Sequence, residues 1–102
     1  MVGQESEQRL RVVVFREGDQ WVAQCLEHDI GAQAEDLDTL QQRLASAVML
    51  ELQESLKRSA VPFAGIEPAP ARFHELWDRQ TGTYHPARAP THDVSLDIAM
   101  YA

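Results

Sequence analysis

At 102 residues and 44% hydrophobic content, the chain has enough for one domain around one core and not for two. Nine basic against 16 acidic residues leave a net charge of −7. That argues against nucleic acid or an anionic membrane as a direct partner and suits solubility or a basic protein partner. One cysteine excludes an intramolecular disulfide. No stretch reads as a signal peptide or a membrane span, so a reduced, cytoplasmic setting is expected.

The first eight residues are polar and expected to fray. Arg9 to Phe15, RLRVVVF, is rich in β-branched residues and reads as a strand. Leu10, Val12 and Val14 share one face; Arg11, Val13 and Phe15 share the other. Glu17-Gly18-Asp19-Gln20 has turn chemistry, and Gln20 to Leu26 returns as a second strand, with Trp21, Ala23 and Cys25 opposite Val22, Gln24 and Leu26. Glu27-His28-Asp29 forms a polar corner before a weaker strand, Ile30 to Ala34, in which Gly31 reads as a bulge.

Asp36 stands where a helix N-cap belongs, and Asp38 suits the positive end of the helix dipole. The helix is expected to end near Lys57 or Arg58, two cations at its negative end. Leu37, Leu40, Leu44, Ala47, Val48, Leu52 and Leu56 fall on one apolar stripe. All five prolines then lie between Pro62 and Pro90, so regular structure is expected to be interrupted over 60–92. Pro70 to Gln80 reads as a short helix with Phe73, Leu76 and Trp77 on one face. Residues 81–93 read as irregular. Val94 to Ala102 alternates cleanly and reads as a half-buried strand.

These elements predict a single α+β domain, a two-layer sandwich of order β-β-β-α-(short α)-β. One long helix packs on a mostly antiparallel sheet. The core comprises residues 9–58 and the strand 94–101, joined by the proline-rich connection 60–92. A right-handed crossover places the last strand parallel to the first, on its free side. Strand exchange with a neighbour is the lesser alternative for that segment. The sheet face away from the long helix is expected to stay partly exposed. Val13, Phe15, Val22 and Leu26, with Asp29 at the corner, are therefore the candidate partner interface, and a homo-oligomer is expected.

The run WVAQCLEHDIGAQAEDLDTLQQRLASAVMLELQESL, preceded by a strand, resembles the N-terminal domain of HicB-type antitoxins. Trp21-Val22-Ala23 matches the family's second strand, Cys25 to Ile30 its corner, Gln33 its third strand, and Asp36-Leu37 its cap and first helical residue. The resemblance covers residues 9–58. Ala34 replaces a usual glycine two residues before the cap, and Thr39-Leu40 replaces a usual Glu-Ala. The resemblance implies a reduced ribonuclease-H-like fold and a non-catalytic antitoxin whose partner is a small, basic, messenger-RNA-cleaving toxin of the HicA class. The alternative is a stand-alone oligomeric scaffold or ligand-binding protein of the same fold with no toxin. Nothing in residues 60–102 reads as a helix-turn-helix or ribbon-helix-helix module, so direct DNA binding is not expected.

Catalytic chemistry finds little footing. Two-metal phosphoryl transfer needs carboxylates converging from strands, and Arg9 to Phe15 carries none. Asp29, Asp36 and Asp38 are accounted for by a turn and a cap, though a hydrolase using the Asp29 corner is a third reading. Cys25 and His28 have C-x-x-H spacing, but His74, His85 and His92 supply no second close pair for zinc, so no metal or cofactor is expected. Cys25 has no nearby cation or helix N-terminus to activate it and reads as structural. Phe73 and Trp77 read as cover for the edge of a small core, and Trp21 and Tyr101 as packed rings with polar tips outward.

Overall fold

The computed structural model describes residues 8–79, 83–88 and 94–101, so the expectations for residues 1–7, 80–82, 89–93 (His92 among them) and 102 lie outside it. β1 (Gln8–Glu17) and β2 (Gln20–Cys25) form an antiparallel hairpin in register from Val12 opposite Cys25 to Glu17 opposite Gln20. Its two-residue turn starts with Gly18 at φ 66°, the position that a type II′ turn reserves for glycine. β3 (Gly31–Ala34) continues the meander against β2 without a bulge, pairing Gln24 with Gly31 and Trp21 with Ala34. Gly31 is instead needed for close approach: a Cβ there would lie 2.9 Å from Oε1 of Gln24 and 3.1 Å from the Ala23 carbonyl oxygen.

α1 (Leu37–Arg58) begins as expected. Asp36 caps it, its carboxylate accepting the Thr39 N–H at 2.7 Å and the Thr39 hydroxyl at 3.0 Å. Lys57 and Arg58 occupy the last turn. Leu40, Leu44, Val48 and Leu52 are buried, while Leu37 and Leu56 are 40% and 47% exposed, against the expectation that both join the stripe. The reason is geometric. Each step of four residues rotates the row by about 40°, so Leu56 has turned well away from the Leu40 side. Ser55, a step of three after Leu52, takes the buried place. Leu37 opens the helix, and its side chain leans past the first turn where nothing precedes it.

After α1 the chain forms α2 (Ala71–Arg79), β4 (Thr83–Arg88) and β5 (Val94–Tyr101). β5 runs parallel to β1 on its free side, Leu10 opposite Leu96 and Val12 opposite Ile98, within its own chain's sheet. β4 corrects the expectation of irregular structure over 83–88, the described part of 81–93: it pairs antiparallel with β5, giving the order β3-β2-β1-β5-β4. Pro86 made this stretch look broken. A proline costs a sheet little on an edge strand, where one side needs no ladder.

The main core lies between α1 and the sheet. Leu10, Val12, Val14, Ala23, Cys25, Val94 and Leu96 meet Leu40, Leu44, Val48 and Leu52 there. α2 lies on the opposite face, where its Phe73 ring is 6.1 Å from that of Phe15, and the Arg11 guanidinium sits 5.8 Å over Trp77. The two-layer expectation is thereby corrected. The molecule is an α+β fold with a short third layer, because a sheet with apolar side chains on both faces needs cover on both.

Candidate functional site

The residues expected at a partner surface divide into three groups. Val13 and Leu26 are wholly buried, Phe15 and Val22 are half-buried, and Asp29 is exposed. Val13 and Leu26 fall outside the main core cluster. With the buried Ala99 they make up a second apolar face, beneath α2 and the segment leading to it. The face expected to stay partly exposed is thus closed at Val13 and Leu26, while Phe15, Val22 and Asp29 keep accessible surface. Phe73, Leu76 and Trp77 are half-buried, the cover that the spacing predicts. Asp78 and Arg79 act on Tyr101 at the far end of the face. Burial pushes the Tyr101 phenol up, Arg79 opposes that shift and Asp78 adds to it. Its hydroxyl oxygen is buried without a hydrogen-bond partner among the described residues.

The corner beside this face is densely bonded. The Arg11 backbone N–H donates to Oε1 of Glu27 at 2.8 Å, and its Nε donates to Oε2 at 2.6 Å. This paired contact holds the start of the corner against β1. The amide of Gln24, itself buried, donates to Oδ1 of Asp29 at 2.8 Å and to the Cys25 carbonyl at 3.1 Å. The Cys25 N–H donates to the Ile30 carbonyl at 2.9 Å. Asp29 is thus tied down as a turn residue, while Asp36 is a cap. The Thr39 N–H bond holds the Asp36 carboxyl below the usual range, helped by the Thr39 hydroxyl and Arg43. Among the described residues no three His, Cys, Asp or Glu side chains are grouped to hold a metal ion. Cys25 is buried, and its thiol is pushed up to about 12, first by burial and then by the nearby Glu27 charge. It is a poor nucleophile in the folded chain.

Residues 59–70 form a strap from α1 around the corner to α2. From 60 to 69 the sequence predicts only interrupted structure. The strap's key residue is Phe63, which is buried and lies in the main core cluster. Two reverse turns meet there, Val61 to Ala64 and Phe63 to Ile66, each closed by an N–H···O bond of 3.2 Å. In the first, Pro62 precedes Phe63 at φ 60°; in the second, Gly65 has φ 87°. Both follow the type II pattern, whose third residue is normally glycine. A phenylalanine in that position is strained. Two contacts hold it. The Ser55 hydroxyl accepts the Phe63 N–H at 2.7 Å while donating to the Leu52 carbonyl at 2.9 Å. The Phe63 ring stacks on His28 at 5.1 Å, and the Nδ1–H of His28 donates to the Ile66 carbonyl at 2.9 Å. Further along, the Asp29 N–H donates to the Glu67 carbonyl and the Ala69 N–H to the Leu26 carbonyl. The sequence signals were Pro62, Gly65 and a serine falling on the helix's buried row.

Leu50 and Leu56 on α1 and Val61 on the strap are the most exposed large apolar side chains among the described residues, at 56%, 47% and 59%. Comparison with protein-family models, curated proteins and solved structures gave no match. Among the described residues no helix is long and apolar enough to cross a membrane.

Proposed function

We propose that the chain is a non-catalytic, HicB-like antitoxin-type protein that acts by protein–protein contact, its partner being a small basic ribonuclease of the HicA class. The observation that carries this reading is the order of elements over residues 8–58. A hairpin, a polar corner, a short third strand, an aspartate cap and one long helix follow one another as the resembled family has them. The finer assignment of the fold as reduced ribonuclease-H-like belongs to the same proposal.

Charge supports it, since −7 on a small chain attracts a basic ribonuclease and competes with RNA phosphate for the same cations. While α2 stays in place, Val13 and Leu26 cannot touch a partner; Phe15, Val22 and Asp29 retain accessible surface, as do Leu50, Leu56 and Val61.

The test is to mix the purified chain with a HicA-class protein encoded beside it and follow complex formation and RNA cleavage. The expected result is a stable complex, loss of cleavage, and association that slows as salt rises. A neighbouring toxin that is neither bound nor inhibited overturns the partner assignment. Metal-dependent hydrolysis by the chain alone, lost in Asp29→Asn, overturns the non-catalytic one.

A further inference from the structure

The strap and α2 have the construction of a detachable cover. α2 has nine residues, and none of its side chains is buried. A helix that short has no stability apart from what it packs against. The face beneath it is apolar: Val13, Leu26 and Ala99 are buried there and Phe15 is half-buried. The strap that delivers α2 is held by Phe63, by His28 on the Ile66 carbonyl, by the Asp29 N–H on the Glu67 carbonyl and, at its far end, by the Ala69 N–H on the Leu26 carbonyl at 3.0 Å. Phe63 is the only described non-glycine residue at positive φ. Its release relaxes a strained backbone, which offsets part of the ring burial lost.

We propose that residues 59–79 act as one hinged cover, latched at Phe63 by the Ser55 hydroxyl and the His28 ring, which opens as a unit, withdrawing the Phe63 ring from the main core and baring the second sheet face while α1 and the sheet stay folded. This goes beyond the antitoxin reading and does not need it. The latch contacts sit on α1 and on the corner, and the face that they control lies on the other side of the sheet. A small change at Ser55 or His28 therefore sets the exposure of Val13, Phe15 and Leu26, although Ser55 lies on α1 across the sheet from them. Local opening starts where few buried contacts hold a segment down, which in this cover is α2, whereas the strap yields only once the Phe63 latch is released.

Hydrogen exchange on the full chain tests it, comparing wild type with Ser55→Ala, His28→Ala and, as a control for global destabilisation, Leu44→Ala. In both latch variants the amides of Phe63, Ile66, Ala69 and α2 are expected to exchange about tenfold faster, together, the loss of one hydrogen bond or stacking contact. The amides of β1 and of residues 44–52 should keep their wild-type rates. Trp77 emission, read in a Trp21→Phe background, should shift to the red in the same variants. Leu44→Ala should speed all segments alike. Two results overturn the proposal: strap and α2 amides that speed up only in step with the core, or strap amides that speed up while α2 and Trp77 do not respond. If Ser55→Ala fails to fold, His28→Ala alone decides between these outcomes.

Discussion

Gly31 and Cys25 show how single positions are set by what approaches them. A methyl group at Gly31 would meet the Gln24 side chain at 2.9 Å, so Gly31→Ala must displace the amide that donates to Asp29. The expected cost is about 1–3 kcal/mol in urea unfolding, the range for an unsatisfied buried amide. The same change should cost less in a Gln24→Ala background, where that amide is gone; equal costs would show that the backbone clash with Ala23 dominates. Cys25 makes a pH prediction. Its folded thiol is raised to about 12, so below the ordinary thiol range both states are protonated and it has no effect on stability. As pH rises from that range toward 12 the unfolded thiol ionises and the folded one does not, so stability falls. Cys25→Ser should flatten that alkaline decline. At mildly alkaline pH, a thiol reagent should label wild type only as fast as the chain opens.

Among the elements, α1 makes the sharpest claim. If the buried row turns as the structure has it, Leu44→Ala costs about 2–5 kcal/mol and Leu56→Ala stays within about 0.5 kcal/mol of wild type. Equal effects in urea titrations would mean that the stripe runs straight along the helix. β3 is the edge strand of the sheet, and Arg43 of α1 donates from Nη1 to the Gln33 carbonyl at 2.8 Å. A long side chain thereby occupies an edge acceptor that could otherwise pair with another chain. β4 closes the opposite edge and carries Pro86, which limits further pairing by removing a donor.

For the molecule as a whole, the placement of the two helices on opposite faces governs what solvent and partners meet. Phe73 and Trp77 anchor α2 to Phe15 and Arg11, so Phe73→Ala with Trp77→Ala should undock it. The expected readout is a several-fold rise in binding of an apolar dye, with little loss of the far-ultraviolet helix signal from α1. Unchanged dye binding would mean that the second face is covered some other way. That double change differs from the latch variants in acting on the cover, not on its hinge.

Most of the architecture was legible because it is local. Alternation of apolar residues gives β1, β2 and β5, the Asp36 cap and the three-four spacing give α1, and Pro70 with Phe73, Leu76 and Trp77 gives α2. The parallel placement of β5 agrees with a right-handed crossover, and its place on β1's free side is the expected one. What escaped were features whose energetics depend on partners far along the chain. Pro86 reads as a breaker until β5 lies beside it, and Leu56 reads as core until the helix's rotation over the sheet is known. Phe63 reads as an ordinary loop phenylalanine: Pro62 and Gly65 signal turns, but neither tells that Phe63 takes the left-handed position with Ser55 and His28 holding it there. The second face was visible as a row of apolar side chains. Whether that row met water or a short helix was a matter of how the chain returned, and periodicity along a strand carries no information about that.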